Sequence, residues 1–362
     1  MEKRIDTFIY RDEDGLRFAN SLILGGGLQI GTTEGGIPEL LGSVGELVLH
    51  PSGGNDINRI QAALDTPGVA HVRLGPGTFN IGLNTLNTNI IRPRPGQRIS
   101  GSGMDLTTLV STDYGILEMV AGNTVDSLSL DGLYIGGGLP ADTSIHRLDS
   151  VRISNTELGL DIGGNWVITN VVLRDIAGSA IEMVRARAVI QNMTVTNASG
   201  GVVLDGGVGS HVSDLTMTDC AGGLTVRNGV SVELSTVSLL RCASGFAIEN
   251  TGTAVINACS VREYNSTGAG AATLGPLRIT GGNNITVNAF GSQMTASAAG
   301  SPPHVLVSGG ATQVVFTSVI RFNGSSAPAT EVNVSGAGGR VLFLQQNFDP
   351  AKINSGGKYV AL

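Results

Sequence analysis

Six segments between Leu148 and Glu263 recur on a fixed period. Val151, Val171, Met193, Leu215, Val237 and Cys259 are separated by steps of 20, 22, 22, 22 and 22 residues, and Ile153, Leu173, Val195, Met217, Leu239 and Val261 keep step two places further on. A period of this length marks stacked repeats, in which no copy buries its apolar face alone and each lies on the last. Within each copy the apolar positions alternate, as in a strand with one buried face, and the i, i+3, i+4 spacing of a helix is missing. The repeat is therefore β.

Four residues after each anchor stand Asn155, Asp175, Asn197, Asp219, Arg241 and Glu263, usually followed by Gly and a second short strand such as 181–183 or 202–204. Asn, Asp and Gly tolerate the left-handed backbone of a sharp turn. Each period then makes one coil of a parallel β-helix. Composition agrees, with 53 Gly in 362 residues and 14% charged residues, where about 25% charged is usual for a globular chain.

The formal charge of −7 and the dispersal of Lys and Arg exclude nucleic acid as a partner. No run approaches the roughly 18 apolar residues of a membrane span, so membrane insertion is not expected. Residues 1–30 lack a basic start, apolar core and small-residue cleavage site. The expectation is a chain made in the cytoplasm with no signal peptide. Cys220, Cys242 and Cys259 fall in successive repeats, and their odd number and spacing point to reduced, structural thiols with neither disulfide nor metal site. No cofactor is expected.

In chain order, residues 1–50 lie outside the repeat and form a candidate attachment segment. Asn55 or Asp56 can cap a short helix whose Ile57, Ile60 and Leu64 share a face and which Pro67 and Gly68 close. Such a helix can cover the open end of a solenoid, where strand edges and core would otherwise be exposed. Coils of about 22 residues occupy 51–265. From 266 to 362 the loops lengthen, but Leu277, Val305 and Val332 begin similar segments 28 and 27 residues apart.

The "IQAAL" helix, "GPGTF" and "ISGSGMDLTTL" resemble the opening of the pectate-lyase-like right-handed β-helix superfamily, which includes polysaccharide lyases and hydrolases and bacteriophage tailspikes. The resemblance covers Asp56 to Val110, and the coils extend it to Glu263. It implies an all-β, right-handed parallel β-helix with an N-terminal capping helix. Activity is not implied, because the superfamily holds lyases, hydrolases, epimerases and proteins without catalysis.

Coils about 4.8 Å apart place residues one period apart in columns. Asp161 and Glu182 lie between inward apolar neighbours, which sets the two acids side by side, with Asp205 near the same surface. These three are the catalytic candidates: a carboxylate separation of about 5–5.5 Å suits a retaining glycosidase, and about 6.5–9.5 Å an inverting one. The competing assignment is a surface charge ladder of Asp205, Arg227 and Glu249, spaced by 22. The family motifs "NTD", "DD", "GHG" and "RIK" are missing; only "GSH" at 209–211 and "RIT" at 278–280 come near them. His146 and His211 are expected to be solvated in turns. Trp166 is the one tryptophan, either core or a sugar platform, and Arg227 is a second substrate-binding candidate.

The face carrying Thr194, Thr196, Thr216, Thr218 and Ser238 suits subunit packing or shallow glycan contact. With the tailspike resemblance, this gives the expectation of a homotrimeric receptor-binding spike of a bacteriophage or related injection particle. It would sit in the virion tail, join other tail or baseplate proteins through residues 1–50, and bind host surface polysaccharide. The alternatives are a polysaccharide-degrading glycoside hydrolase or lyase and a purely structural solenoid.

Overall fold

The computed structural model describes residues 45–361 except 84–87, 139–142, 230, 266–274, 297–301, 312, 323–327, 335 and 357–358; before residue 45 it describes the backbone of five strands. Those five form two small antiparallel sheets: Phe8–Asp12 pairs with Gly15–Ala19, and Leu28–Thr32 lies between Leu22–Leu24 and Pro38–Leu41. Neither joins the main sheet. Within the candidate attachment segment, the acidic residues Glu13 and Asp14 lie outside the described residues.

Among the described residues the main sheet is parallel throughout and contains 28 strands, wound into coils with three faces. Face one begins at Glu46–Leu49, which pairs in register with His71–Leu74. The solenoid thus starts inside the segment expected to precede it. Face two begins at Gly77–Asn80 and face three at Ile90–Ile91.

The inward columns follow from alternation. On face two, Val171, Met193 and Leu215 are register partners, as are Leu173, Val195 and Met217. All six are at most 1% exposed. The later period is equally in register, with Leu277 opposite Val305 and Val305 opposite Val332. The 22-residue coils therefore pass into the longer ones without a break in the sheet.

Corners complete the coil. Asn155, Asp175, Asn197, Asp219, Arg241 and Glu263 all adopt φ between 51° and 56° at the corner from face two to face three. A matching set, Ser127, Ser150, Asn170, Asn192, Asp214, Thr236 and Ala258, bends the chain from face one to face two at φ between 51° and 58°. Side chains at both corners link successive coils, as where Asn197 Nδ2 donates to Asp175 Oδ1 at 2.7 Å and Asn192 Nδ2 to Asn170 Oδ1 at 2.7 Å. Just before face three the coils approach closely: a Cβ on Gly223 would lie 1.9 Å from the Gly245 carbonyl oxygen, so only glycine fits.

The helix Ile57–Asp65 follows the first strand and buries Ile57, Ile60, Ala63 and Leu64. Asp56 precedes it, but Asn55 supplies the cap, its Oδ1 accepting from Ile57 N at 3.2 Å. Asp56 is fully buried and pairs with Arg59 at 2.6 Å. Near the other end Phe316 and Phe343 stack at 4.4 Å.

The three cysteines are free and buried. Burial pushes the Cys259 thiol up to about 11. The hydrogen bond with Cys242 instead lowers the Cys220 thiol to about 7, but all three are at most 2% exposed, so an aromatic disulfide reagent at pH 8 is expected to leave them unmodified in the folded protein and to titrate all three in denaturant. The inward register gives a second expectation. Leu173→Ala should lower unfolding free energy by about 2–5 kcal/mol through the cavity it leaves. Val195→Asp, which buries an unpaired charge, should abolish the cooperative thermal transition; a normal melt for that variant would overturn the register.

Candidate functional site

Face three carries an acidic column at its N-terminal end. Glu118 is opposite Gly136, Gly136 opposite Asp161, and Asp161 opposite Glu182. Their direction is forced, because Leu160, Ile162, Ile181 and Met183 on either side of the two central acids are at most 2% exposed. Asp161 and Glu182 thus stand on adjacent rungs, about 4.8 Å apart along the column, and Glu118 two rungs before Asp161.

Gly136 interrupts the row of acids, and the Tyr134 ring and Ile116 pack against it. A Cβ there would sit 3.3 Å from Tyr134 Cε2 and 3.9 Å from the Asp161 carbonyl oxygen. Burial raises the Tyr134 phenol above its ordinary value, and Asp161, Glu157 and Glu118 raise it further. The phenol therefore stays protonated at neutral pH, a neutral donor among carboxylates. Arg92 balances one end of the column, its Nε donating to Glu118 Oε2 at 2.9 Å.

Chemically, this is a row of carboxylates with one phenol and one guanidinium beside them. The one-rung step from Asp161 to Glu182 matches the retaining spacing of about 5–5.5 Å. The two-rung step from Glu118 to Asp161, about 9.6 Å, lies at the upper edge of the inverting range. Among the described residues no group of His, Cys, Asp and Glu could hold a metal ion.

Asp205 is not in this column. It is opposite Val184 and Arg227, accepting from Arg227 Nε at 2.8 Å and Asn228 Nδ2 at 3.0 Å. The next pair, Glu249 and Arg278, stands at 3.7 Å. Asp205 and Arg227 therefore form the charge ladder, with both charges committed to each other.

Trp166 does not form a sugar platform. Its ring is 1% exposed, stacks on His146 at 4.7 Å and donates from Nε1 to the Gly163 carbonyl at 2.6 Å. His146, expected in solvent, is wholly buried beneath it. His211 is partly exposed and stands 3.3 Å from Glu233, so it is not a lone imidazole. The sequence pattern overlooked Glu118, Tyr134 and Arg92. They lie before the regular 22-residue coils, in Thr107–Met119, Thr124–Gly137 and Ile90–Ile91 with its following residues, and a register shift between Val110 and Gly115 conceals their alignment with Asp161.

The family described as "Right handed beta helix region" matches residues 158–311. No curated protein sequence matches the chain. Among solved structures, the catalytic domain of a GH87 alpha-1,3-glucanase in complex with nigerose is similar at 12% identity and a TM-score of 0.55, over 88% of this chain and 67% of that one. A variant of such a domain in complex with tetrasaccharides is similar at 11% identity and a TM-score of 0.54, over 88% and 68%. The A-module of a mannuronan C-5 epimerase from Azotobacter vinelandii gives 15% identity over 89% and 98%, with a TM-score of 0.49. At such identities the likeness to the glucanase domain is one of fold, and the fold of this chain is a right-handed parallel β-helix.

Proposed function

We propose that the protein binds a host surface polysaccharide along face three, as the receptor-binding spike of a bacteriophage or related injection particle. The observation that carries the glycan reading is the acidic column of Glu118, Asp161 and Glu182 with Tyr134 beside it. Carboxylates in a row accept hydrogen bonds from vicinal sugar hydroxyls, and the Tyr134 ring against Gly136 adds an aromatic edge beside them. The same row repels anions, which favours a neutral or cationic glycan over an acidic one. The fold shared with an alpha-1,3-glucanase domain supports a polysaccharide as ligand.

The spike reading draws support from the N-terminal strands, which pair among themselves and not with the solenoid. They offer a separate unit for attachment to a tail or baseplate. Trimerisation is proposed through face two, where Thr194, Thr196, Thr216 and Thr218 form an outward surface of low charge.

One observation favours cleavage as a second reading: Asp161 and Glu182 are direct register partners. In that mechanism one carboxyl protonates the glycosidic oxygen while the other attacks the anomeric carbon, and water then releases the sugar. Tyr134, protonated and beside Asp161, would hold the substrate or its departing oxygen.

Neutral host polysaccharides incubated with the full chain are expected to bind, and Glu118→Gln with Asp161→Asn to weaken binding while melting temperature is retained. New reducing ends in wild type that fall about 100-fold or more in Asp161→Asn or Glu182→Gln would establish an enzyme. Binding without new ends would leave a receptor-binding protein. A monomer in sedimentation with no affinity for any surface polysaccharide would overturn the proposal.

A further inference from the structure

The first coils hold a second polar constellation, on face one and built from different side chains. Glu46, His71 and Ser100 come from three successive strands, Glu46–Leu49, His71–Leu74 and Arg98–Ser100. Glu46 is the register partner of His71, and Ser100 lies diagonally beyond it, opposite Arg73. His71 Nε2 is 2.7 Å from Ser100 Oγ, and His71 Nδ1 is 3.6 Å from Glu46 Oε2. The order is carboxylate, imidazole, hydroxyl, with the two imidazole nitrogens facing different partners.

We propose that Ser100, His71 and Glu46 form a nucleophilic serine site that hydrolyses small acyl esters, with Arg73 facing the developing oxyanion. With its proton on Nδ1, towards Glu46, the imidazole leaves Nε2 to accept from the Ser100 hydroxyl. The other carboxylate near Ser100 is its register partner Asp126, and both Asp126 oxygens are bonded to Arg98, at 2.7 and 2.9 Å. Asp126 therefore does not compete with His71 for the hydroxyl proton. Among the described residues the ion pair of Arg73 is a 3.9 Å contact with Glu46, and its side chain remains half exposed, so its charge is available to a substrate oxygen. Burial holds His71 below the usual histidine range, outweighing the opposite pull of Glu46, which keeps it a neutral base at pH 7.

In the first step Ser100 Oγ bonds to the acyl carbon and its proton passes to His71 Nε2. The bond from acyl carbon to alkoxy oxygen then breaks, and the departing alcohol takes that proton. Water next attacks the acyl-serine, again giving its proton to Nε2; the bond to Oγ breaks, the carboxylic acid leaves and Oγ recovers the proton. Solvent water is the only co-reactant. Ser100 and His71 are catalytic residues, and Glu46 is a positioning residue. The proposal is independent of glycan binding on face three.

The test treats the full chain with a fluorophosphonate probe and maps the modified peptide by mass spectrometry, while p-nitrophenyl acetate hydrolysis is followed across pH. One probe per chain on Ser100 is expected, with hydrolysis falling about 100-fold or more in Ser100→Ala and His71→Gln. Glu46→Gln should move the acidic limb of the pH profile to lower pH and reduce kcat, since a carboxylate no longer stabilises the imidazolium. Wild type that melts cooperatively yet takes no probe on Ser100 would overturn the proposal, whatever the variants do. So would unchanged hydrolysis in a folded Ser100→Ala variant.

Discussion

Backbone hydrogen bonding between successive coils is the constraint on which everything else rests. Apart from its turns and the one helix, a coil has no internal ladder; the N–H and C=O groups of its strands are satisfied by the coils above and below. Strands in register then bring like positions over one another, so Val171 meets Met193 and Asp161 meets Glu182 by the same rule. Apolar columns fill the interior, while polar columns must find partners along the outer surface. The helix Ile57–Asp65 covers part of the first coil with four buried side chains, because there the rule has no preceding coil to act on.

On the outside, the columns settle their charge in two ways. Most acids meet a base or an amide one rung away, as in Asp219 with Arg241 at 2.6 Å and Asp149 with Asn170 at 2.8 Å. Such exposed pairs add little stability individually. Glu118 obeys this rule through Arg92, whereas Asp161 and Glu182 stand beside each other on adjacent rungs with Tyr134 near them. A ladder of paired charges and a row of acids are built from the same spacing of about 4.8 Å.

The register of the regular coils was legible because it is carried by residue spacing alone. Once Val171 and Met193 are aligned, the faces of Asp161 and Glu182 follow by alternation. Asp205 stands two positions along the strand from the partner of Glu182, a distance that decides between the two readings open for it and places it in the charge ladder. For Trp166 the core was one of the two readings left open; His146 escaped the pattern because it lies inside the coil cross-section, where its ring fills space beside Trp166. Glu118, Tyr134, His71 and Ser100 lie in coils of unequal length, and there alignment comes only from the pairing itself.

The corners carry a consequence for how such a surface can change. Among the described residues 17 other than glycine hold a left-handed backbone, Arg241, Thr236, Ala258 and Glu263 among them. That conformation costs an L-residue roughly 1–2 kcal/mol, so neighbouring coils impose it against local preference. An edge whose backbone is dictated from above and below places little demand on the identity of its side chains. Two of the solenoid's three edges are then open to rewriting, from amide to acid to base, with the winding left untouched; what the molecule displays along its length can diverge far faster than its shape.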